Sequence, residues 1–153
     1  VRPDAAGALE VETRITGATI RYGVPDPIDP VLAGDEPAAQ VLGRRVAGGA
    51  AGLLAREFGS HRAIWSAAPC LPPELLRHFA REAGVHIYSD AGDQVMAERQ
   101  LLMIHAASNG PRMIRLPRLC TVRDAFSGDL LGANTDHVET GARTGQTVVW
   151  NLE

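Results

Sequence analysis

The sequence predicts an α+β fold in which short strands dominate. One main helix, at about residues 72–83, is expected in a partial α/β layer that is followed by a small antiparallel β-sandwich. Three observations carry this prediction. Apolar and polar residues alternate over short runs, as in half-buried strands. Only one stretch places apolar residues at helical spacing. Turn residues such as Asn109-Gly110 separate the later runs, which favours hairpins.

The first strands follow from alternation near the N-terminus. Apolar residues within 9–15 alternate with polar neighbours, and Ile20 and Tyr22 continue the pattern, as expected for strands with one buried face. Residues 24–40 hold four prolines among acidic residues. Because proline cannot donate a ladder hydrogen bond, this stretch is predicted to be a long acidic loop. Further apolar runs predict strands at 41–46, 53–58 and 63–67.

The helix begins at Pro72 or Pro73, which suit a first helical turn, and Glu74 favours the positive end of the helix dipole. Gly84 is placed to end it. Its apolar face consists of residues spaced three and four apart: Leu75, Leu76, Phe79, Ala80 and Ala83. A short strand at 85–88 is expected next, so residues 63–88 predict one strand–helix–strand unit.

The second half changes character after residues 90–93, where we place a boundary between a first domain at 1–90 and an antiparallel β-domain at 91–153. Its strand-length runs are each followed by turn residues, which is typical of a small sandwich. These runs are Val95–Glu98, Leu101–Ala107, Met113–Leu116, Thr121–Phe126, His137–Thr140 and Thr147–Leu152.

Composition excludes several functions. All 15 basic residues are arginine, so lysine catalysis and lysine-bearing phosphate loops are ruled out. The net charge of −3 argues against nucleic acid, which basic surfaces recognise. No apolar run approaches the length of a membrane span, and no signal-peptide pattern opens the sequence. A cytoplasmic protein is therefore expected. Cys70 and Cys120 are expected to be packed thiols, with a single bridge between them as the alternative.

No residue pattern identifies a reaction. Cys70 lies between a predicted strand and helix, but Pro69 and Leu71 would crowd a nucleophile elbow. The five histidines lack the spacing that aims two ligands at one metal. The segment 90–93 is better explained as a turn than as the start of a calcium loop. We therefore predict no catalytic residue, no metal site and no cofactor.

Carbohydrate binding would draw on exposed aromatic rings, which match the apolar face of a pyranose, and on nearby acids. The candidates for contact with a substrate are Trp65, Trp150, Tyr88, Asp90 and Asp93. Both tryptophans lie in apolar runs, so core packing is the competing interpretation for them. A small hydrolase would require two acids a fixed distance apart, and Glu74 and Glu82 are the other acids considered for such a pair.

Several ordered phrases resemble a known family. Residues 63–93, AIWSAAPCLPPELLRHFAREAGVHIYSDAGD, are followed by 101–117, LLMIHAASNGPRMIRLP, and by DAFSGD at 124–129. These phrases resemble the C-terminal region of bacterial β-galactosidase-like glycoside hydrolases, where the end of a glutamine-amidotransferase-like, flavodoxin-type domain precedes a small β-domain. The resemblance covers about residues 41–153, and residues 2–40 depart from it.

This resemblance implies a non-catalytic accessory or assembly module. In that family the hydrolytic carboxylates lie on a separate barrel domain, and the amidotransferase-like domain serves subunit association. The expected partners are therefore a second copy of the chain or a glycoside hydrolase catalytic domain, with carbohydrate as a further ligand and neither nucleic acid nor membrane. The alternatives are a stand-alone carbohydrate-binding β-domain and a small hydrolase.

Overall fold

The computed structural model describes residues 2–4 and 7–153. Contacts divide the chain into two compact units, residues 1–79 and 80–153, called here the N-terminal and C-terminal units. This division falls inside the helix, whereas the sequence suggested a boundary at 90–93. The predicted strand-rich character is confirmed, since one helix accompanies the strands and both main sheets are antiparallel.

The N-terminal unit is built on a five-stranded sheet with the order β3-β2-β5-β6-β7. A two-stranded sheet pairs β1 with β4. The strands are β1 (Arg2–Asp4), β2 (Gly7–Thr13), β3 (Ile20–Ile28), β4 (Val31–Ala33), β5 (Gln40–Arg45), β6 (Ala51–Glu57) and β7 (Arg62–Ser66). The four pairings of the larger sheet are antiparallel, which differs from the parallel strands of the expected flavodoxin-type layer.

The predicted acidic loop at 24–40 is wrong for much of its length, because β3 continues to Ile28 and β4 occupies 31–33. Strand β3 lies at an edge of its sheet, where proline costs no ladder hydrogen bond. The register also shifts between Ala8, opposite Pro27, and Leu9, opposite Val24, so β3 bulges at Pro25. Gly23, at φ 145°, permits this close pairing, since an added Cβ would lie 1.9 Å from the Leu9 carbonyl oxygen.

The five-stranded sheet is strongly curled. Strands β3 and β7 form its two edges, and four interstrand steps in a flat sheet would separate them by about 19 Å. Yet the hydroxyl of Tyr22 on β3 lies 2.9 Å from Oγ of Ser66 on β7, and Ser66 donates to the Ala68 carbonyl at 2.7 Å. A side-chain hydrogen bond therefore joins the two edges over a core that includes Leu9, Val11 and Leu53.

The predicted helix is confirmed as α1 (Pro73–Glu82). Leu75 is its buried residue and joins the N-terminal core. Gly84 ends the helix and has a φ of 74°. The Gly84 N–H donates to Arg81 O at 3.0 Å, and the Val85 N–H donates to Ala80 O at 2.9 Å, which is the hydrogen-bond pattern of a Schellman motif. Nowhere in the described ranges is there a helix with the length and apolar character needed to cross a bilayer.

The C-terminal unit is a five-stranded antiparallel sheet with the order β11-β10-β12-β9-β8. Its strands are β8 (Gln94–Glu98), β9 (Leu101–His105), β10 (Gly110–Asp124), β11 (Leu130–Ala142) and β12 (Thr147–Leu152). The antiparallel strands predicted for this part of the chain are present, and they form one sheet. Its core consists of inward-facing residues that include Leu102, Ile114, Val122 and Trp150.

Two details of this sheet were predicted incorrectly. Asn109-Gly110 does not close a hairpin, since β9 pairs with β8 and β12 and β10 pairs with β11 and β12. Asn109 Oδ1 instead accepts the Thr144 N–H at 2.9 Å. The runs predicted as separate strands at 113–116 and 121–126 form one strand, β10, whose register with β11 shifts between Arg115 and Cys120 around Pro117. A bulge accommodates the missing proline donor there.

The strand predicted at 85–88 is also absent, because this segment forms no ladder. Instead, it forms hydrogen bonds with one residue of β10, Arg115. The Arg115 N–H donates to Tyr88 O at 2.9 Å, and His86 Nε2 donates to Arg115 O at 3.0 Å. The predicted strand–helix–strand unit at 63–88 therefore ends with the helix.

Candidate functional site

A buried ion pair in the C-terminal unit joins two residues from distant parts of the sequence. The side chains of Arg112 and Asp93 are 1% and 0% exposed. Arg112 Nε donates to Asp93 Oδ2 at 2.8 Å and Nη2 to Oδ1 at 3.0 Å, a forked geometry that matches guanidinium to carboxylate. Asp93 is one of the substrate candidates predicted from the sequence, and the structure encloses it.

Both partners make further hydrogen bonds. Asp93 also accepts from Ser89 Oγ at 3.1 Å and from the Ala107 N–H at 3.0 Å. Arg112 Nη1 donates to Gly110 O at 2.7 Å, and Nη2 donates to the Ser108 carbonyl. Such a network stabilises a fold and leaves the carboxylate no free position for a substrate.

The ion pair also joins two parts of the C-terminal unit that are not neighbours in the sheet, the start of β8 and the first half of β10. Asp93 immediately precedes β8, and Arg112 lies in β10, three positions away in the sheet order. Strand β10 pairs with β12 only at residues 122–124. Its first half is therefore free to turn back toward the start of β8, and the Arg112–Asp93 pair fastens it there.

Hydrogen bonding keeps Asp93 ionised. Burial alone would raise the pKa of Asp93, but hydrogen bonds from Arg112, Ala107 and Ser89, together with the charge of Arg112, more than offset burial and hold the pKa below its usual value. A general acid requires the opposite shift. Asp93 is thus suited to structural support.

We expect acid to destabilise the C-terminal unit through Asp93. Because the folded pKa is lowered, the stabilisation is fully present above the unfolded pKa of about 3.9 and is lost as the pH falls through the folded value. Calorimetric melting temperatures should therefore drop below about pH 4, more steeply for the wild type than for Asp93→Asn. Asp124→Asn, which removes an exposed carboxylate, should reduce the pH dependence of the melting temperature less than Asp93→Asn does. Parallel curves for wild type and Asp93→Asn would contradict this assignment.

Asp90, the second acid named from the sequence, is exposed and lies between two arginines. It contacts Arg81 of α1 and Arg115 Nη1 of β10, the latter at 2.9 Å. This cluster fixes the segment that follows α1 within its own unit. Exposed pairs of this kind contribute little to stability.

The aromatic candidates lie in different environments. Trp150 is 2% exposed and belongs to the C-terminal core, so it cannot stack on a sugar. Tyr88 is half-buried against the same core, with its ring edge-on to His86 at a centroid distance of 4.5 Å. Trp65 is half-buried in β7 of the other unit. The competing interpretation, core packing, therefore applies to Trp150.

The cysteines are both free, but only one is packed. Cys120 is buried in the C-terminal core, whereas Cys70 is exposed, so the expectation of a packed thiol is wrong for Cys70. Cys70 has φ 59°, a left-handed conformation in the turn before α1. Across the part of the chain that the structure describes, no three histidine, cysteine or acidic side chains converge as metal ligands.

The N-terminal unit carries an open concavity of about 530 Å³ that the sequence analysis did not anticipate. Four arginines and one acid contribute to its lining: Arg14, Arg21, Arg44, Arg45 and Glu12. Exposed Val41 and Val46 line it as well. We call this feature the arginine concavity.

A signal for these residues was present in the sequence. The alternation that predicts β2 places Leu9 and Val11 on one face, and it therefore places Glu10 and Glu12 on the other. What the sequence lacked was the register, which sets Glu12 opposite both Arg21 and Arg44. Residues on three strands meet only once that pairing is known.

Comparison with known proteins gives one informative likeness. No family model and no curated protein matches the sequence. Among solved structures, the chain resembles part of a β-galactosidase from Bacillus circulans sp. alkalophilus, with a TM-score of 0.63 at 14% sequence identity. The match covers 100% of this chain and 23% of that one, so the chain spans less than a quarter of that enzyme. The likeness shows a β-galactosidase-like fold.

Proposed function

We propose that this chain is a non-catalytic accessory module, related to the glycoside hydrolases, that acts in assembly. The observation that carries the proposal is the fold match, which includes the whole chain and only a minor part of a β-galactosidase. A piece of fold that accounts for 23% of that enzyme is of the size expected for an ancillary domain. The phrases within 63–129 that resemble β-galactosidase-like enzymes agree with this relation.

Three carboxylates are in a state that does not suit the acid step of glycoside hydrolysis. Hydrolysis of a glycoside requires one acid with a raised pKa to protonate the leaving group. The pKa of Asp93 is lowered, and so is that of Asp124, chiefly by the Ser127 and Phe126 N–H groups, and that of Asp136, chiefly by His137. These acids are held ionised by structural partners, which is unfavourable for proton donation.

The surface we propose for assembly is the tip of the β10–β11 hairpin. It presents three exposed apolar side chains: Phe126, Leu130 and Leu131. Phe126 is 84% exposed, yet its turn is rigid, because Asp124 Oδ1 accepts the N–H groups of Phe126 and Ser127, each at 2.9 Å. An exposed aromatic on a fixed turn has the properties of an interface anchor, since little entropy is lost when it docks.

The occupant we propose is a second copy of the chain. Strand β11 is an edge strand of 13 residues, and an unpaired edge is a template for symmetric strand pairing. Leu130 and Leu131 begin that strand, so the apolar tip and the free edge are continuous. Contact with a glycoside hydrolase catalytic domain, which the sequence also suggested, stays a prediction.

Light scattering coupled to size exclusion tests this proposal. The wild type should give a mass of twice the 16.3 kDa protomer, and Phe126→Ser should raise the dissociation constant at least about tenfold, as expected for loss of an interface anchor. Phe58→Ser is the matched control, because Phe58 is 45% exposed in the other unit, and it should leave the mass unchanged. A wild-type monomer, or equal effects of the two variants, would overturn the proposal.

A second candidate, a carbohydrate-binding β-domain, is favoured by the arginine concavity. The tryptophan stacking expected for such a domain is not available at Trp150.

A further inference from the structure

We propose that the arginine concavity binds an acidic oligosaccharide through its carboxylates, with Arg14, Arg21 and Arg44 as the anchoring groups. The choice of a saccharide rests on the proposed relation to glycoside hydrolases. The site itself rests on the geometry of three adjacent strands.

Strand register sets the spacing of the charges. Glu12 on β2 lies directly opposite Arg21 on β3 and Arg44 on β5. Directly paired residues project from the same face of a sheet, so the three side chains form a row of arginine, glutamate and arginine. Two interstrand steps place the Arg21 and Arg44 Cα atoms about 10 Å apart. The row therefore suits a ligand that carries more than one anionic group.

Most of the guanidinium donors remain available. Each guanidinium has five N–H groups. Arg21 Nε donates to Glu12 Oε2 at 2.6 Å, and Arg44 Nη1 donates to Gly49 O at 2.9 Å. Within the described part of the chain, no hydrogen bond or ion pair occupies the Arg14 guanidinium. Glu12 orients Arg21 without neutralising the other two arginines.

The local charge is positive in a chain of net charge −3. Among the described residues, the lining holds one acid, Glu12, against four arginines, and Glu10, which also acts on Arg21, lies outside it. A cationic concavity on an anionic chain favours a small anionic ligand over a long polyanion such as nucleic acid, which would meet the remaining negative surface. The lining also lacks the aromatic rings on which bases stack.

The rest of the lining favours a sugar ring over a free inorganic anion. Val41 and Val46 are 42% and 46% exposed and lie beside the arginines. Exposed apolar side chains can pack against the C–H face of a pyranose ring and remove both surfaces from water. A neutral sugar would lack the charged contacts, so the combination of valines and guanidiniums fits a uronic acid unit.

Titration calorimetry with oligogalacturonate tests the proposal. The wild type should bind oligogalacturonate and should bind its fully methyl-esterified form, which is uncharged, at least about tenfold more weakly, since charge-assisted hydrogen bonds are lost. Added salt should weaken binding of the acidic form. Citrate serves as the free carboxylate, and it should bind more weakly than the oligosaccharide.

Variants locate the site. Arg14→Gln and Arg44→Gln should each weaken binding about tenfold, while circular dichroism checks that both fold. Arg118→Gln is the matched control, because Arg118 is an exposed arginine of the other unit, and it should leave binding unchanged. Equal binding of the acidic and esterified forms, an effect of Arg118→Gln as large as that of Arg44→Gln, or no binding by the folded wild type would overturn the proposal.

The outcome is separable from that of the assembly proposal. The arginine concavity and the hairpin tip share no residue and belong to different units. Dimerisation without binding of oligogalacturonate would reject the ligand alone. Binding by a monomer would reject assembly alone.

Discussion

Replacing Arg112 with methionine is expected to destabilise the C-terminal unit by about 3–5 kcal/mol, because the remaining carboxylate of a buried ion pair is left without its opposite charge. Methionine preserves much of the volume, so the loss is electrostatic. Asp93 would keep its Ser89 and Ala107 donors but lose the forked guanidinium contact and the opposing charge. Chemical denaturation followed by circular dichroism measures the change in the free energy of unfolding.

Two further variants make this result specific. Arg115→Met removes an exposed arginine of the same strand, which pairs with Asp90, and it should cost no more than about 1 kcal/mol. The double variant Arg112→Met, Asp93→Leu should recover part of the loss, because a buried pair replaced by apolar residues no longer leaves a charge unpaired. Similar small losses for Arg112→Met and Arg115→Met would show that the pair is not a structural support.

Replacing Leu75 with alanine is expected to destabilise the N-terminal unit by about 2–5 kcal/mol. Leu75 is 0% exposed and is the buried residue of α1, so its loss leaves a cavity where the helix meets the sheet. The range reflects how far the surrounding side chains relax.

The neighbouring residue provides the control. Leu76 is 53% exposed, and alanine has the higher helix propensity, so Leu76→Ala should change the free energy of unfolding by less than about 0.5 kcal/mol. Denaturant titrations of both variants measure the difference. Equal costs would mean that α1 does not dock through Leu75.

Local features were predictable from sequence, and pairing between distant strands was not. The helix and its Gly84 cap depend on residues within one short window, and α1 was placed within one residue at each end. The Asn109-Gly110 dipeptide marked a break between two strands but suggested the wrong strand pairing, because hairpin formation depends on which strand lies alongside. Pro25 and Pro27 suggested a loop because a sequence cannot show that β3 is an edge strand.

The candidate sites were also hard to predict, because they depend on contacts between residues that are distant in the sequence. Asp93 could be recognised as a turn acid, but its role depends on Arg112, 19 residues further along, and nothing local links the two. The arginine concavity needs residues from β2, β3 and β5 in one register. Trp150 was rightly suspected of packing because apolar neighbours surround it in sequence, and it is buried.

The unequal burial of the two thiols gives each unit its own chemical reporter. Cys70 is open to a thiol reagent in the native protein, so it can carry a fluorophore or an affinity handle on the N-terminal unit. Cys120 reacts only when the C-terminal unit opens, so its alkylation rate measures the opening of that unit. Opening of the C-terminal unit can thus be followed at Cys120 in a protein that carries its label at Cys70.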